Sequence, residues 1–294
     1  LSMGTILAGS SLAPIIPPSV MAIVLGMLSK VSIAALLIAG ILPGLVLAAC
    51  FFAYVVIRGW INPSLAPLSE RVSLPGRQRL KLVFRAVPFL LIIASILGLI
   101  LGGIATPTES AAMGCVTALV VCAIFGNLDL RTILECLKST AMTTSMIMII
   151  MVTSVSFSQV LNMTGTTFQL VAAVTSLALP LVAMFAILQI LPFVLCMFID
   201  QIALMIMLVP LYTPIVDALG FDPLWFWTIF LVNMSIGGIT PPFGYTLFAL
   251  KGVVPDVSIQ EVYRAVLPFI AIFVAVMVLL ALFPGIVLFL PSFL

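Results

Sequence analysis

The sequence contains no histidine and very little charge. Asp, Glu, Lys and Arg make up only 7% of its 294 residues, whereas 64% of the residues are hydrophobic. Soluble domains carry roughly a quarter charged residues, because their surfaces face water. Without histidine the chain has no HExxH zinc site, no Ser-His nucleophile and no histidine proton relay. The five cysteines form no CxxC pair, and we predict that they are small apolar core residues.

Long uncharged stretches take the place of a charged surface. Residues 265–294 contain no charge, and Asp200 is the one charged residue between Lys138 and Asp217. A helix that crosses a bilayer needs about 20 apolar residues, and several stretches are long enough. The net charge of +2 leaves no basic footprint for nucleic acid. We therefore predict an all-α polytopic membrane protein.

Prolines, short polar turns and one long basic loop at 58–85 separate the apolar stretches. A first segment ends near Lys30 and is interrupted at Pro17-Pro18, and two apolar arms flank Asp200. The predicted spans cover 31–57, 86–105, 109–125, 139–161 and 259–290, with a short helix at 167–178, arms at 180–198 and 201–216, and a span at 223–252 that breaks at Pro241-Pro242.

The distribution of lysine and arginine orients these spans. Such residues accumulate in cytoplasmic loops, which places the 58–85 loop inside. If the arms around Asp200 form a re-entrant hairpin, ten of the eleven Lys and Arg residues are cytoplasmic, Lys30 is the exception, and Asp217 and Asp222 lie outside. Two full spans joined at Asp200 fit the charges equally well. We favour the hairpin, because a single aspartate would otherwise be the whole loop between two apolar spans.

Two parts of the sequence share the same order of motifs. The first reads Ile15-Ile-Pro-Pro-Ser19, Val31-Ser-Ile33 and Ile41-Leu-Pro43; the second reads Ile239-Thr-Pro-Pro-Phe243, Val257-Ser-Ile259 and Val266-Leu-Pro268. Each copy predicts a broken helix, a polar turn and a span with proline near its start. With the hairpin, the two broken helices run in opposite directions, which is typical of inverted-repeat secondary transporters. The second copy has a hairpin before its broken helix, so we expect the first copy's hairpin upstream of Leu1.

Asp200 is the leading candidate for a functional residue. A carboxylate at membrane depth costs roughly 2.5–3.5 kcal/mol on insertion scales and suggests function by default. At a hairpin tip it would face a cavity near helix ends, whose carbonyls can bind Na⁺ and whose N–H groups can bind an anion. The structural alternative is that Asp200 caps the N-terminus of the second arm, and the two roles are compatible.

The two broken helices supply the other candidates. In the second, Gly237 and Gly238 permit close backbone approach, the prolines leave carbonyls without N–H partners, and Thr240 adds a hydroxyl oxygen of the kind that hard cations prefer. Gly9-Ser10-Ser11 is the equivalent in the first copy. The structural alternatives are proline kinks and helix packing through small residues.

Two further polar motifs have structural interpretations. Thr106, Pro107 and Glu109 fit the N-cap, N1 and N3 positions of a capping box. The polar patch Ser154, Ser156, Ser158 and Gln159 lies late in a span, where we expect hydrogen bonds between helices rather than substrate contact.

Four motifs in order resemble a known family. Gly9-Ser-Ser-Leu-Ala-Pro-Ile-Ile-Pro-Pro-Ser19, Gly102-Gly-Ile-Ala-Thr-Pro-Thr-Glu109, Met197-Phe-Ile-Asp200 and Ile239-Thr-Pro-Pro242 resemble the large membrane subunit of TRAP (tripartite ATP-independent periplasmic) transporters. The resemblance covers essentially the whole chain and corresponds to the C-terminal two-thirds of that subunit. More distantly, the hairpin with Thr-Pro-Pro is similar to divalent anion/sodium symporters.

The resemblance implies an inverted-repeat, elevator-type transporter with a re-entrant hairpin and broken helices. Na⁺ would be the coupling ion, with no other cofactor. One Na⁺ site would comprise Asp200, Gly238, Thr240 and Pro241, the other would include Ser10 and Ser11, and the substrate would contact Asn233, Ser235 and Gln201. Gln201 stands where the family often has proline, which puts the ligands at the hairpin tip in question.

The same resemblance divides the chain into a mobile transport domain and a scaffold. Residues 1–30 would end the first-repeat transport domain, 31–179 would form scaffold spans and an arm helix, 180–252 the second-repeat transport domain, and 253–294 the last scaffold span.

The function implied is that of a permease subunit rather than an enzyme. It would import small organic anions, such as C4-dicarboxylates or sialic acid, across the bacterial inner membrane as a multi-pass protein. Its partners would be a small four-helix membrane subunit and a periplasmic substrate-binding protein. The alternatives are a divalent anion/sodium symporter that needs no binding protein, and a channel or scaffold subunit.

Overall fold

The computed structural model describes residues 1–63, 87–124, 128–177, 179–254 and 257–293. Within these ranges the chain is helical and has no strand. Five helices are long and apolar enough to cross a membrane: Ile33–Ile61, Pro107–Ile124, Leu130–Met163, Gln201–Ala218 and Ile259–Leu282. These findings confirm the all-α, multi-span prediction. Most of the basic 58–85 loop lies outside the described residues, so the orientation inferred from its charges stays a prediction.

The helices follow the order expected from the apolar stretches. Their bounds are α1 Ser2–Ser10, α2 Val20–Ser29, α3 Ile33–Ile61, α4 Val87–Leu101, α5 Pro107–Ile124, α6 Leu130–Met163, α7 Thr166–Ser176, α8 Leu181–Leu195, α9 Gln201–Ala218, α10 Pro223–Gly237, α11 Tyr245–Val253, α12 Ile259–Leu282 and α13 Pro284–Leu288, followed by a 3₁₀ turn at Pro291–Phe293.

The two largest differences from the sequence-based boundaries lie at the start of α6 and in the last span. Helix α6 begins at Leu130, inside the polar stretch that was expected to precede the span, because the Asp129 carboxylate accepts a hydrogen bond from the Thr132 amide at 2.6 Å and caps the helix there. The last predicted span, 259–290, divides at Pro284. Proline lacks an N–H and moves the preceding residue, Phe283, out of the helical region, where it adopts φ −123° and ψ 74°.

The chain divides into two compact units. The smaller lies within residues 67–150 and includes α4 and α5, which pack against each other. Gly114 makes this packing close, since a Cβ there would come within 2.6 Å of the Ile96 side chain. Before α5, Glu109 accepts hydrogen bonds from the Thr106 amide and hydroxyl at 2.8 Å, and the Glu109 amide donates back to Thr106 at 3.4 Å. This capping box confirms the structural interpretation of that motif.

The larger unit contains residues 1–63 and 151–293 and has α10 at its centre. All side chains from Phe226 to Gly237 are buried, and α10 packs against α3, α8, α9 and α12. Aromatic residues fill the adjacent contact between α3 and α12, where the Phe51 and Phe269 rings meet edge to face with centroids 5.4 Å apart. A helix apolar on all sides is buried among its neighbours, so the second broken helix is fixed along most of its length.

The internal repeat is visible in the local structure. Each copy contains a helix, a non-helical break, a short helix and a long helix whose N-cap is a serine: α1, α2 and α3 in the first copy, α10, α11 and α12 in the second. The hydroxyls of Ser32 and Ser258 both accept the amide three residues later, at 3.3 Å. The packing is also reciprocal, because α1 contacts α12 of the second copy and α10 contacts α3 of the first. The opposite membrane orientation of the copies, and the division into transport domain and scaffold, stay predictions.

Candidate functional site

A turn at 196–200 carries Asp200 to the start of α9. Helix α8 ends at Leu195, whose carbonyl accepts the amides of Phe198 and Ile199 at 3.0 Å. Asp200 Oδ1 then accepts the amides of Ile202 and Ala203 at 3.0 and 3.2 Å, which makes Asp200 the N-cap of α9. The capping role is therefore present, and it uses only one carboxylate oxygen. No described residue donates a hydrogen bond to Oδ2.

The break between α10 and α11 lies next to this turn. Thr240 is buried and its hydroxyl donates to the Ile236 carbonyl at 2.7 Å. The Gly238 carbonyl accepts the Thr246 amide at 3.2 Å, together with the Thr246 hydroxyl. On the other side of the break, the Pro242 carbonyl accepts the Tyr263 hydroxyl at 2.8 Å, which attaches the break to α12. The broken helix predicted at Pro241-Pro242 is confirmed.

Two glycines allow the turn and the break to touch. A Cβ on Gly237 would lie 2.5 Å from Cys196 Sγ and 3.0 Å from the Cys196 carbonyl oxygen. A Cβ on Gly238 would lie 2.9 Å from Gln201 Nε2 and 3.0 Å from the Tyr245 ring. Real Cβ atoms do not approach other atoms this closely, so only glycine fits at either position without displacement of its neighbours.

A cavity of about 150 Å³ lies between the turn and the break, and we call it the tip cavity. Its polar groups are the Asp200 carboxylate, the Gln201 amide and the Tyr245 hydroxyl. The carbonyl oxygens of residues 196–199 accept no hydrogen bond from any described residue. The full lining consists of Cys196, Met197, Phe198, Ile199, Asp200, Gln201, Gly237, Gly238, Phe243 and Tyr245.

The donor set around the tip cavity fits a small hard cation. Such cations take carboxylate, carbonyl and hydroxyl oxygens, and the turn offers one carboxylate beside unpaired carbonyls. A single carboxylate balances a single charge, which suits Na⁺ better than a divalent ion. No group of three or more His, Cys, Asp or Glu residues able to hold a metal exists among the described residues.

The structure brings part of the predicted site together. Asp200, Gly238 and Gln201 line the tip cavity. Thr240 and Pro241 belong to the same break but are absent from the cavity lining. Their assignment to Na⁺, like that of Asp200 and Gly238, stays a prediction.

Asn233 and Ser235, the other predicted substrate contacts, are buried between packed helices. The Asn233 amide nitrogen donates to Gln189 of α8, at 2.6 Å to the carbonyl oxygen and 3.0 Å to Oε1, and both side chains are buried. The Ser235 hydroxyl donates to the Leu231 carbonyl at 2.7 Å. In the first copy, the Ser10 and Ser11 hydroxyls likewise donate to the Leu7 and Ala8 carbonyls, both at 2.7 Å. All four residues remain predictions as ligands.

Sequence reasoning gave no site role to Cys196, Phe243 and Tyr245, which also line the tip cavity. Tyr245 is the first residue of α11 after the break, so its position beside the prolines was a usable signal. Cys196 gives no such signal, because only the packing of Gly237 places it at the cavity. The interpretation of the 154–159 polar patch is confirmed for Ser154, whose hydroxyl donates to the Ile206 carbonyl of α9 at 2.9 Å.

Comparisons with known proteins agree with this architecture. Residues 1–286 match the family described as tripartite ATP-independent periplasmic transporter, DctM component. The chain is 34% identical over 290 residues to an ectoine/5-hydroxyectoine TRAP transporter large permease protein of Ruegeria pomeroyi, with 98% of the chain and 66% of that relative covered.

Two other relatives carry different substrate names. A sialic acid TRAP transporter large permease protein of Vibrio cholerae is 30% identical, over 98% of the chain and 67% of the relative. A C4-dicarboxylate TRAP transporter large permease protein of Pseudomonas aeruginosa is 30% identical, over 99% of the chain and 67% of the relative. The chain thus spans about two thirds of the length of these curated relatives.

Proposed function

The chain belongs to the DctM component family of tripartite ATP-independent periplasmic transporters, and from this we propose that it carries a small organic acid across the bacterial inner membrane together with Na⁺. Membership of a permease family agrees with the prediction that the chain is not an enzyme. The partners in the proposed system are a small four-helix membrane subunit and a periplasmic substrate-binding protein. The three relatives described above are named for ectoine, sialic acid and C4-dicarboxylates, all of which carry a carboxylate.

The observation that supports Na⁺ coupling is that only one oxygen of the Asp200 carboxylate accepts hydrogen bonds from described residues. Its Oδ1 caps α9, whereas its Oδ2 accepts no hydrogen bond from any described residue. Asp200 lines the tip cavity together with residues 196–199, whose carbonyl oxygens likewise accept no hydrogen bond from a described residue. At the membrane depth predicted for the turn, a carboxylate is costly unless it has a partner, and a bound Na⁺ supplies one. The ion would then lie next to the broken helix, because Gly237 and Gly238 line the same cavity as Asp200.

A substitution at Asp200 can separate its role in capping α9 from its proposed role in binding Na⁺. Asparagine caps helices about as well as aspartate, so Asp200→Asn keeps the α9 N-terminus and removes only the charge. We expect the variant to insert and fold, and to lose Na⁺-driven uptake almost completely. The measurement is uptake of a radiolabelled organic-acid panel into proteoliposomes that contain the full-length protein, its small membrane subunit and the cognate binding protein, with and without an inward Na⁺ gradient.

The controls decide between the candidate functions. Glu135→Gln removes a carboxylate from an exposed pair with Arg131, and it should leave uptake unchanged because surface pairs contribute little. Uptake that requires Na⁺ and the binding protein supports the proposal. Uptake with Na⁺ alone indicates a symporter that needs no binding protein, and undiminished uptake by Asp200→Asn removes the assigned role of Asp200.

A further inference from the structure

A second cavity lies in the larger unit, away from the tip cavity. It has a volume of about 380 Å³ and lies between the end of α2, the last turns of α6 and the second half of α9. None of its lining residues lines the tip cavity. Small-molecule sites typically have volumes of about 300–1,000 Å³, so a small solute fits here, whereas the tip cavity is of a size for an ion. We call it the Lys30–Asp217 cavity.

Polar and apolar side chains share the lining of this cavity, although the helices around it are mostly apolar. They come from all three walls: Lys30 from α2, Ser158, Gln159 and Asn162 from α6, and Thr213 and Asp217 from α9. The walls are joined, because the Ser154 hydroxyl of α6 donates to the Ile206 carbonyl of α9 and because α2 packs on α9. The cavity is therefore a built feature of the fold.

Most of these polar groups have unused hydrogen-bonding capacity. Among the described residues, the side chains of Lys30, Asn162 and Asp217 have no hydrogen-bond or ion-pair partner, and the same holds for Ser158 and Gln159. Thr213 donates its hydroxyl proton to the Val209 carbonyl at 2.8 Å, which leaves its oxygen able to accept. Lys30, Gln159, Asn162 and Asp217 are exposed and Ser158 is half-buried, so their donors and acceptors are available to a solute that enters the cavity.

The two charges define the chemistry of the ligand. Lys30 ends α2 in the left-handed region at φ 61°, and Asp217 lies in the last turn of α9. They line the same cavity without forming an ion pair among the described residues. A simple anion would be attracted by Lys30 and repelled by Asp217, and a simple cation the reverse. A solute that carries both a carboxylate and a cationic group satisfies both residues.

The position of the cavity suits a solute that arrives from outside. The orientation derived from the positive charges puts both Lys30 and Asp217 on the outer face, and the structure places these two residues at one cavity. A solute released at the periplasmic surface would meet this cavity without passing the tip cavity.

We propose that the Lys30–Asp217 cavity binds a small zwitterion, with its carboxylate at Lys30 and its cationic group at Asp217. The amides of Gln159 and Asn162 and the Ser158 hydroxyl provide neutral hydrogen bonds around it. This inference deepens the proposed function and rests on it for the assumption that the solute is a small organic acid. It narrows that class to acids with a compensating positive charge.

The test is equilibrium binding to the purified full-length protein in lipid nanodiscs. The probes are radiolabelled ectoine and γ-aminobutyrate, one cyclic and one linear zwitterion, with cyclohexanecarboxylate as an anion of similar size without a positive charge. We expect the wild-type protein to prefer at least one zwitterion over the anion by about tenfold or more. Asp217→Asn should remove that preference, and Lys30→Asn should weaken binding of all three acids.

The variants are chosen to preserve the fold. Asparagine adopts the left-handed conformation readily, so Lys30→Asn removes the ammonium group without straining the end of α2. Ser156→Ala lies on α6 outside the cavity lining and should bind like the wild type. A wild-type protein that binds neither zwitterion, or binds them no better than the anion, overturns the inference, as does a preference that survives in Asp217→Asn.

The outcome is separable from that of the proposed function. Asp200→Asn should lose Na⁺-driven uptake while it still binds the zwitterion in the absence of Na⁺. If the wild-type protein shows no Na⁺-driven uptake but its zwitterion binding depends on Lys30 and Asp217, the proposed function fails and the cavity assignment stands. If Na⁺-driven uptake is present but zwitterion binding is unchanged by substitution of Lys30 or Asp217, the proposed function stands and the cavity assignment fails.

Discussion

The two breaks of the internal repeat have the same local plan and different surroundings. Aligned on their Pro-Pro pairs, Ser11 corresponds to Ser235, and each is a buried serine whose hydroxyl donates to a carbonyl of the preceding turn at 2.7 Å. The first break then has Ala13 where the second has Gly237. Ala13 is exposed, whereas Gly237 is packed against Cys196 of the turn before α9.

This difference shows that a break in a helix supplies free oxygens but does not by itself form an ion site. Interrupting a helix exposes carbonyls and hydroxyls, and both breaks do this through prolines. A site also needs a second segment with a charge, and only close backbone approach lets that segment reach the break. At the second break the glycines permit the approach and Asp200 supplies the charge. Substitutions that make one break resemble the other should therefore affect them unequally.

The largest effect is expected from Gly237→Ala, which gives the second break the residue found at the first. The new Cβ would lie 2.5 Å from Cys196 Sγ and 3.0 Å from the Cys196 carbonyl oxygen. Overpacking of this kind costs about 1–3 kcal/mol, and we expect it to displace the turn that carries Asp200. Uptake at a fixed Na⁺ gradient should fall by about tenfold or more, as measured in proteoliposomes.

Two further variants check the origin of that loss. Cys196→Gly removes the side chain that meets the new Cβ and should restore part of the uptake in the double variant. Ala13→Gly makes the reciprocal change at the first break and should alter uptake little, since Ala13 is exposed. Equal losses in Gly237→Ala and Ala13→Gly would show that both breaks are packed in the same way.

A smaller effect is expected from Thr240→Val, which removes a hydroxyl with little change in shape. The Ile236 carbonyl keeps the Ile239 amide as a partner at 3.1 Å, so the break should persist. If the Thr240 oxygen binds Na⁺, the Na⁺ concentration for half-maximal uptake should rise by about tenfold, while Thr240→Ser stays near wild type. An unchanged Na⁺ dependence in Thr240→Val would exclude Thr240 as a ligand.

The smallest effect is expected from Tyr263→Phe, which tests how the second break is attached. The Tyr263 hydroxyl donates to the Pro242 carbonyl at 2.8 Å, whereas Leu37, at the equivalent position after the serine N-cap of α3, is apolar and buried. Loss of one exposed hydrogen bond costs about 0.5–1.5 kcal/mol. A slightly lower thermal midpoint with retained uptake is expected, and loss of uptake at full stability would assign Tyr263 a direct role.

Whether a feature could be predicted from the sequence depended on how local its cause is. The Thr106–Glu109 capping box and the break at Pro241-Pro242 were readable in sequence, because a cap or a proline acts on its own backbone. The division at Pro284 had the same kind of signal and was missed, since the surrounding residues are uniformly apolar. The early start of α6 at Leu130 was missed because charged residues in a helix resemble a polar loop when only hydropathy is considered.

The sequence by itself determined the class of the protein, the order of its helices, the repeat and the capping of α9 by Asp200. These depend on composition and on contacts between residues close in the chain. Only the tertiary structure decided which groups surround Asp200, and that Lys30 and Asp217 share a cavity. Packing between helices far apart in sequence depends on the fit of side chains in three dimensions, and hydropathy alone does not encode that fit.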